Sequence, residues 1–216
     1  MVPMRRVFVD PGSPQRDAIQ EAAIWILRGG IVALPTDTLY GLAADPFNED
    51  AVSRLFTVKG RGAQQALPLM AADEAQVTAH LGSMSSTASV LARRFWPGPL
   101  TLLVSAPRTL ARGVTGGAGT VGVRVPGDEV ARAICAACGR PITATSANIS
   151  GQPATADPAD VERALGDRID FLVDTGPTRG GAPSTIVDVS GGEPRLVRVG
   201  AIAWDEIQAW LHTVQA

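Results

Sequence analysis

The chain is poor in the residues that catalysis most often uses. Its two histidines, His80 and His212, stand far apart in 216 residues, which leaves little material for a Ser-His-Asp triad. Its two cysteines, Cys135 and Cys138, form a lone C-x-x-C. A structural zinc site needs four ligands, and a thioredoxin-like pair belongs at the start of a helix, whereas this pair closes one. Ordinary packing cysteines are the better reading. No run of 18 apolar residues occurs, and the start, MVPMRRVFVDPGSP, has no apolar segment long enough for a signal peptide. The expectation is a cytoplasmic protein with no membrane contact. A net charge of −2 and a pI of about 5.7 give no global positive field of the kind nucleic-acid binders carry. Five phenylalanines and one tyrosine give few platforms for base stacking.

Lysine and asparagine are scarce as well. Lys59 is the one lysine against 18 arginines, Tyr40 is the one tyrosine, and Asn48 and Asn148 are the two asparagines. A chain so rich in Ala, Gly, Pro and Arg uses arginine wherever a surface charge suffices. A surviving lysine then marks a position that wants a compact ammonium rather than a guanidinium fork, with chance survival as the alternative.

What is present is enough for one well-packed core. With 45% hydrophobic residues, one domain over 1–216 is the expectation. Residues 5–10, 31–35, 121–126, PITATS, DFLVDTG, STIVDVS and PRLVRVG read as strands, the last two as a hairpin about Gly191-Gly192. ALPLMAA and LTLLVSA are further strands. A helix is expected after Ser13 as N-cap and Pro14 at the first position, ending at Gly29-Gly30. Others are expected from Asn48 to near Lys59, over 127–138 and from Asp157-Pro158, with DEAQVTAHLG, STASVLARRF and AWDEIQAWLH also helical. TDTLYGLAADP reads as too polar and Gly-broken for the sheet. Strands and helices mix without the strict alternation of a doubly wound fold, so the class is α/β with a mixed sheet.

Familiar motifs fail on context. GAGTVG (117–122) has the letters of a dinucleotide fingerprint but precedes a strand instead of opening a helix. Asp37 paired with Asp45 on a metal is less natural than two turn or capping residues. Three segments remain: PTDTLYGL (35–42) at a strand end, KGRG (59–62), and TSANISG (145–151). Lys and Arg two apart suit a phosphate clamp, or a solvated face. Ser and Asn donate to phosphate oxygens without adding charge. Tyr40, Lys59 and Asn148 fall one in each segment, which argues for a shared site.

With FWPGPLTLLV, VGVRVP, PITATSANISG and DTGPTRGGAPSTIVD followed by RLVRVG, these segments occur in an order that closely resembles the YrdC/Sua5 family, the L-threonylcarbamoyladenylate synthases, over about residues 15 to 200. The resemblance implies a twisted mixed sheet flanked by helices around a large, concave, locally positive cavity. It implies that L-threonine, bicarbonate and ATP give threonylcarbamoyl-AMP and pyrophosphate, for the t6A modification of tRNA by downstream transfer machinery. On it, Lys59, Arg61, Ser146 and Asn148 hold the triphosphate, with Mg²⁺, and carry the catalysis. Thr120 and Arg198 contact the nucleotide. Thr38, Tyr40, Arg124, Ala144 and Ser184 bind threonine, Arg124 through the carboxylate. No protein metal site is implied. The sequence departs from the family pattern at Gly62, Leu67 and Ala72, where polar residues or proline are usual. Two alternatives stand beside this reading: a non-synthase that binds RNA or a nucleotide in the same cavity, and a carbamoyl-transfer relative acting on another amine.

Overall fold

The computed structural model describes residues 3–60, 62 and 65–215. The elements run β1 (Arg5–Phe8), α1 (Arg16–Leu27), β2 (Val32–Leu34), β3 (Gly41–Ala43), α2 (Glu49–Lys59), β4 (Leu69–Met70), α3 (Glu74–Leu81), α4 (Ser86–Phe95), β5 (Leu100–Ser105) and α5 (Arg112–Thr115). They continue with β6 (Thr120–Arg124), α6 (Glu129–Cys138), β7 (Ile142–Thr143), β8 (Thr145–Ser146), α7 (Pro158–Leu165), β9 (Phe171–Asp174), β10 (Thr185–Asp188), β11 (Arg195–Arg198) and α8 (Trp204–Gln215).

Two mixed sheets form, in the orders β1-β9-β2-β3-β8 and β11-β10-β5-β6-β4-β7. The division falls inside PITATS, which reads as one strand in sequence. Ile142 and Thr143 pair with β4, while Thr145 and Ser146 pair with β3. Ala144 is the crossover. Its N–H donates to Pro68 O at 2.7 Å, and the neighbouring Thr143 exchanges bonds with Ala44: Thr143 N–H donates to Ala44 O, and Thr143 Oγ1 accepts from Ala44 N–H. The backbone groups that leave one sheet thus find partners in the other, as buried amides must.

Local chemistry explains most helix boundaries. Asn48 Oδ1 accepts from the N–H groups of Asp50 and Ala51, and Asp73, Ser85, Asp128 and Asp157 cap α3, α4, α6 and α7 in the same way. The first helix begins later than expected. Asp10 organises the preceding turn, its Oδ1 accepting from Gly12 N–H and its carbonyl from Ser13 N–H. Ser13 and Pro14 therefore lie in that turn, and α1 starts after Gln15, whose side chain makes no cap bond.

The segment after β2 also differs from expectation, because Gly41–Ala43 returns as a strand antiparallel to β2. The loop between them is folded by Thr36, whose Oγ1 donates to Leu39 O at 2.7 Å and accepts from Thr38 N–H. Gly41 allows close approach to the crossover strand: a Cβ there would meet Thr145 O at 3.4 Å.

Two apolar clusters hold the layers. One joins α1 and α6 to β2 and β9 and includes both buried cysteines; the other fills the space between α2, α4, α8 and the central strands.

Candidate active site

A cavity of about 420 Å³ opens where the two sheets meet. Ala144, Thr145 and Ser146 form one wall and Thr36, Thr38 and Tyr40 another. Thr101, Gly122 and Arg124 contribute from β5 and β6, and Ser184 and Arg198 from the ends of β10 and β11. Thr120 alternates onto the same face of β6 as Gly122 and Arg124 and is half-buried, at the far end of that strand.

Lys59 meets the Ser-x-Asn turn from beneath. It ends α2 with 2% of its surface exposed. Its Nζ donates to Ser146 O at 2.5 Å, Asn148 O at 2.9 Å and Asn148 Oδ1 at 3.1 Å. Ser146 Oγ donates to Asn148 Oδ1, Asn148 Nδ2 to Gln152 O, and Ser150 N–H returns to Lys59 O at 2.8 Å. The ammonium therefore pins a turn whose serine hydroxyl is exposed at the cavity wall. Its partner in the sequence motif, Arg61, lies outside the described residues.

Two arginines face the cavity. Arg198 donates through Nε and Nη2 to Ser184 O at 3.2 and 2.7 Å, and through Nη2 to Ser184 Oγ at 3.1 Å; Thr101 Oγ1 lies 2.8 Å from that hydroxyl. Burial, and then the charge of Arg124, lowers the Arg198 pKa from its ordinary value; a guanidinium keeps its charge through such a shift. Arg124 is nine-tenths buried, and its Nη1 sits 3.0 Å from Asp37 Oδ1. The two atoms are not aligned as a hydrogen bond, so their contact is ionic. Two like charges beside one cavity repel unless an anion or a carboxylate sits between or behind them.

Tyr40 belongs to the cavity wall, but its hydroxyl serves the 175–176 backbone. The residue is fully buried; its OH donates to Gly176 O at 2.8 Å and accepts from Thr175 N–H at 3.1 Å. Burial pushes the phenol pKa up, more than the bonds from Thr175 lower it. Thr178 Oγ1 donates to Thr38 O at 2.7 Å. Tyr40 and Thr178 thus stitch the 36–40 loop to the 175–183 loop that delivers Ser184.

The departures at Leu67 and Ala72 lie off the cavity. Leu67 is fully buried in the apolar core, and Ala72 N–H is taken by Gln76 Oε1, while Ala66 and Pro68 face the cavity instead. Sequence reasoning passed over Thr101 and Asp37 as site residues. A threonine inside the apolar run LTLLV was the available signal for the first, and the structure leaves it only 3% exposed. The Asp37–Asp45 pairing does not form, because Asp37 faces Arg124 and Asp45 faces Arg140 at 3.4 Å. Among the described residues no group of three or more His, Cys, Asp or Glu is placed to hold a metal. The oxygens at the cavity wall are neutral, which suits a cation that arrives already chelated by phosphates.

A family model designated Sua5_yciO_yrdC and described as telomere recombination matches residues 25–200. The chain belongs to the Sua5/YciO/YrdC family. Similar members of the Sua5/YciO/YrdC family include the threonylcarbamoyl-AMP synthase of Pyrococcus abyssi, 40% identical over 190 residues that make up 88% of this chain and 56% of the relative. The threonylcarbamoyl-AMP synthase of Halorhodospira halophila is 40% identical over 155 residues, 72% of this chain and 81% of the relative. The crystal structure of P. abyssi Sua5 complexed with L-threonine superposes with a TM-score of 0.89 at 37% identity, over 96% of this chain and 60% of that one. This chain thus spans less than two thirds of the length of the P. abyssi relative. The described residues contain no helix long and apolar enough to cross a membrane.

Proposed function

We propose that the chain is a cytoplasmic threonylcarbamoyl-AMP synthase that joins L-threonine, bicarbonate and ATP. One observation carries the reading: two arginines and a lysine-braced Ser-x-Asn turn converge on one cavity at the sheet crossover. The site has donors for two anions, a carboxylate and a polyphosphate, and among the described residues no histidine lines it to activate its serine and threonine hydroxyls. The reading draws support from the names of the relatives and from the P. abyssi neighbour, whose structure holds L-threonine.

In this reading Arg124 takes the threonine carboxylate, a planar task suited to a guanidinium. Thr38, the Ala144 backbone and Ser184 surround the rest of the amino acid, and Tyr40 fixes the wall. The threonine amine attacks the carbon of bicarbonate and water leaves, giving a carbamate. A carbamate oxygen attacks the α-phosphorus, the bond to the bridging oxygen breaks, and its electron pair departs with pyrophosphate. Catalysis here is positioning and charge stabilisation. Ser146 donates to the phosphates by turning its hydroxyl from Asn148 Oδ1, and Asn148 donates through its second amide N–H. Lys59 and Arg61 supply positive charge, and Arg198 and Thr120 border the nucleotide. Mg²⁺ bound with ATP would neutralise part of the phosphate charge, held by the phosphates themselves beside Ser146. The product is a mixed anhydride, handed to the machinery that builds t6A on tRNA.

The test is pyrophosphate release with ATP and Mg²⁺, leaving out threonine or bicarbonate in turn, with Lys59→Ala as control. Release that requires both substrates and disappears in Lys59→Ala is expected. Release independent of threonine would overturn the reading.

A further inference from the structure

Asp37 pairs with Arg124 from outside the lining of the 420 Å³ cavity, at the wall of a neighbouring cavity that shares Thr36 and Thr38 with it. The Nη1 of Arg124 is fully buried against Asp37 Oδ1 at 3.0 Å, while Arg124 also lines the cavity. The other oxygen of Asp37 is anchored: Oδ2 accepts from Gly127 N–H at 3.3 Å. The carboxylate packs directly on Gly127, where even a Cβ would meet Asp37 Oδ2 at an ordinary contact distance of 3.5 Å. The aspartate is thus fixed by the backbone that leads into α6, and its side chain is only 18% exposed.

The arrangement has an electrostatic consequence. Arg124 is close enough to Arg198 that its charge, after burial, helps to lower the Arg198 pKa. A carboxylate 3.0 Å from Arg124 offsets that repulsion and fixes the guanidinium at one edge. Such a buried pair is worth most as orientation, because desolvation cancels much of its Coulomb gain. Orientation is what bidentate recognition of a carboxylate requires.

Building on the threonine reading above, we propose that Asp37 is a positioning residue that sets amino-acid affinity by holding Arg124 toward the substrate carboxylate. It touches no substrate atom. Its effect is therefore confined to ligands that carry the group Arg124 reads.

The experiment compares L-threonine and threoninol, which lacks the carboxylate, as calorimetric ligands of the parent chain and of Asp37→Asn, with ATP as a third ligand. In the parent, threonine is expected to bind much more tightly than threoninol. In Asp37→Asn, threonine affinity is expected to fall by roughly 10- to 100-fold, the scale of a misplaced binding group. Threoninol and ATP affinities should stay within about twofold, the range of non-specific effects. Equal weakening of threonine and threoninol would mean a merely structural role and would overturn the proposal. A parent chain that binds ATP but not threonine would instead overturn the threonine reading on which it rests. Should Asp37→Asn fail to fold, the double variant Asp37→Asn/Arg124→Gln, which removes both charges, is compared with Arg124→Gln. Threonine affinities that match are expected if Asp37 acts through Arg124; a further loss in the double variant refutes it.

Discussion

Lys59 illustrates how one side chain can be placed by geometry rather than by charge alone. Its ammonium meets three oxygens of a single turn, two of them main-chain carbonyls, with almost no exposure. A guanidinium carries the same charge but is a flat fork, too wide to sit inside that ring of acceptors. Lys59→Arg should therefore destabilise the chain about as much as Lys59→Ala, each by roughly 1–3 kcal/mol, the cost of leaving buried acceptors unpaired. Urea midpoints measure this, and an arginine variant as stable as the parent would show that only charge matters at this position. The scarcity of lysine was the legible clue, since it singled out this position before any contact was visible. Tyr40 was flagged by the same rarity, yet its hydroxyl serves the 175–176 backbone. Rarity points to a constrained position, but it does not say whether the constraint is a ligand or the fold.

At the scale of elements, helix starts were legible where a side chain within three residues fixes them. Asn48 and Asp157 cap as their sequence positions imply, because the bonds involved are local. The sheet crossover at Ala144 was not legible. Strands of two residues carry no periodicity, and their pairing partners, at 41–42 and 69–70, lie far away in sequence. The late start of α1 was missed for another reason: two local signals compete there, and the Asp10 turn wins over Ser13.

Helix α6 offers a test of what its cap contributes. Asp128 Oδ1 accepts from Ala131 N–H at 2.8 Å. Burial, followed by the charge of Asp37 among other causes, raises the pKa of this carboxyl. A raised folded-state pKa means that the ionised form is the disfavoured one in the native chain. The hydrogen bond, and not the charge, is then what stabilises the helix start. Asp128→Asn should leave stability at pH 7 within about 0.5 kcal/mol of the parent, whereas Asp128→Ala should cost about 1 kcal/mol. Equal losses in both variants, read from urea unfolding, would mean that the negative charge itself supports the helix.

For the whole molecule, the residues that titrate at alkaline pH are few, and beside Lys59 the interior takes both cysteines and the tyrosine. Burial pushes the Cys135 thiol well up and the Cys138 thiol to about 12, and it raises the Tyr40 phenol as well. In the unfolded chain the thiols titrate near 9. Between about pH 9 and 12 the unfolded state therefore releases protons that the native state retains, and stability falls as pH rises. Below 9 both states hold the protons and the slope vanishes. Each retained proton steepens the fall by about 1.4 kcal/mol per pH unit, so two thiols acting together should make unfolding strongly alkaline-sensitive just above pH 9. Replacing both, in Cys135→Ala/Cys138→Ala, lowers stability at pH 7 through lost packing. It should also remove that slope and leave a weaker fall that begins only near pH 10, the ordinary value of the Tyr40 phenol. Urea midpoints from pH 7 to 11 measure both curves. Parallel curves for the two chains would show that the thiols are not protected, and that α6 opens to solvent well before the molecule unfolds.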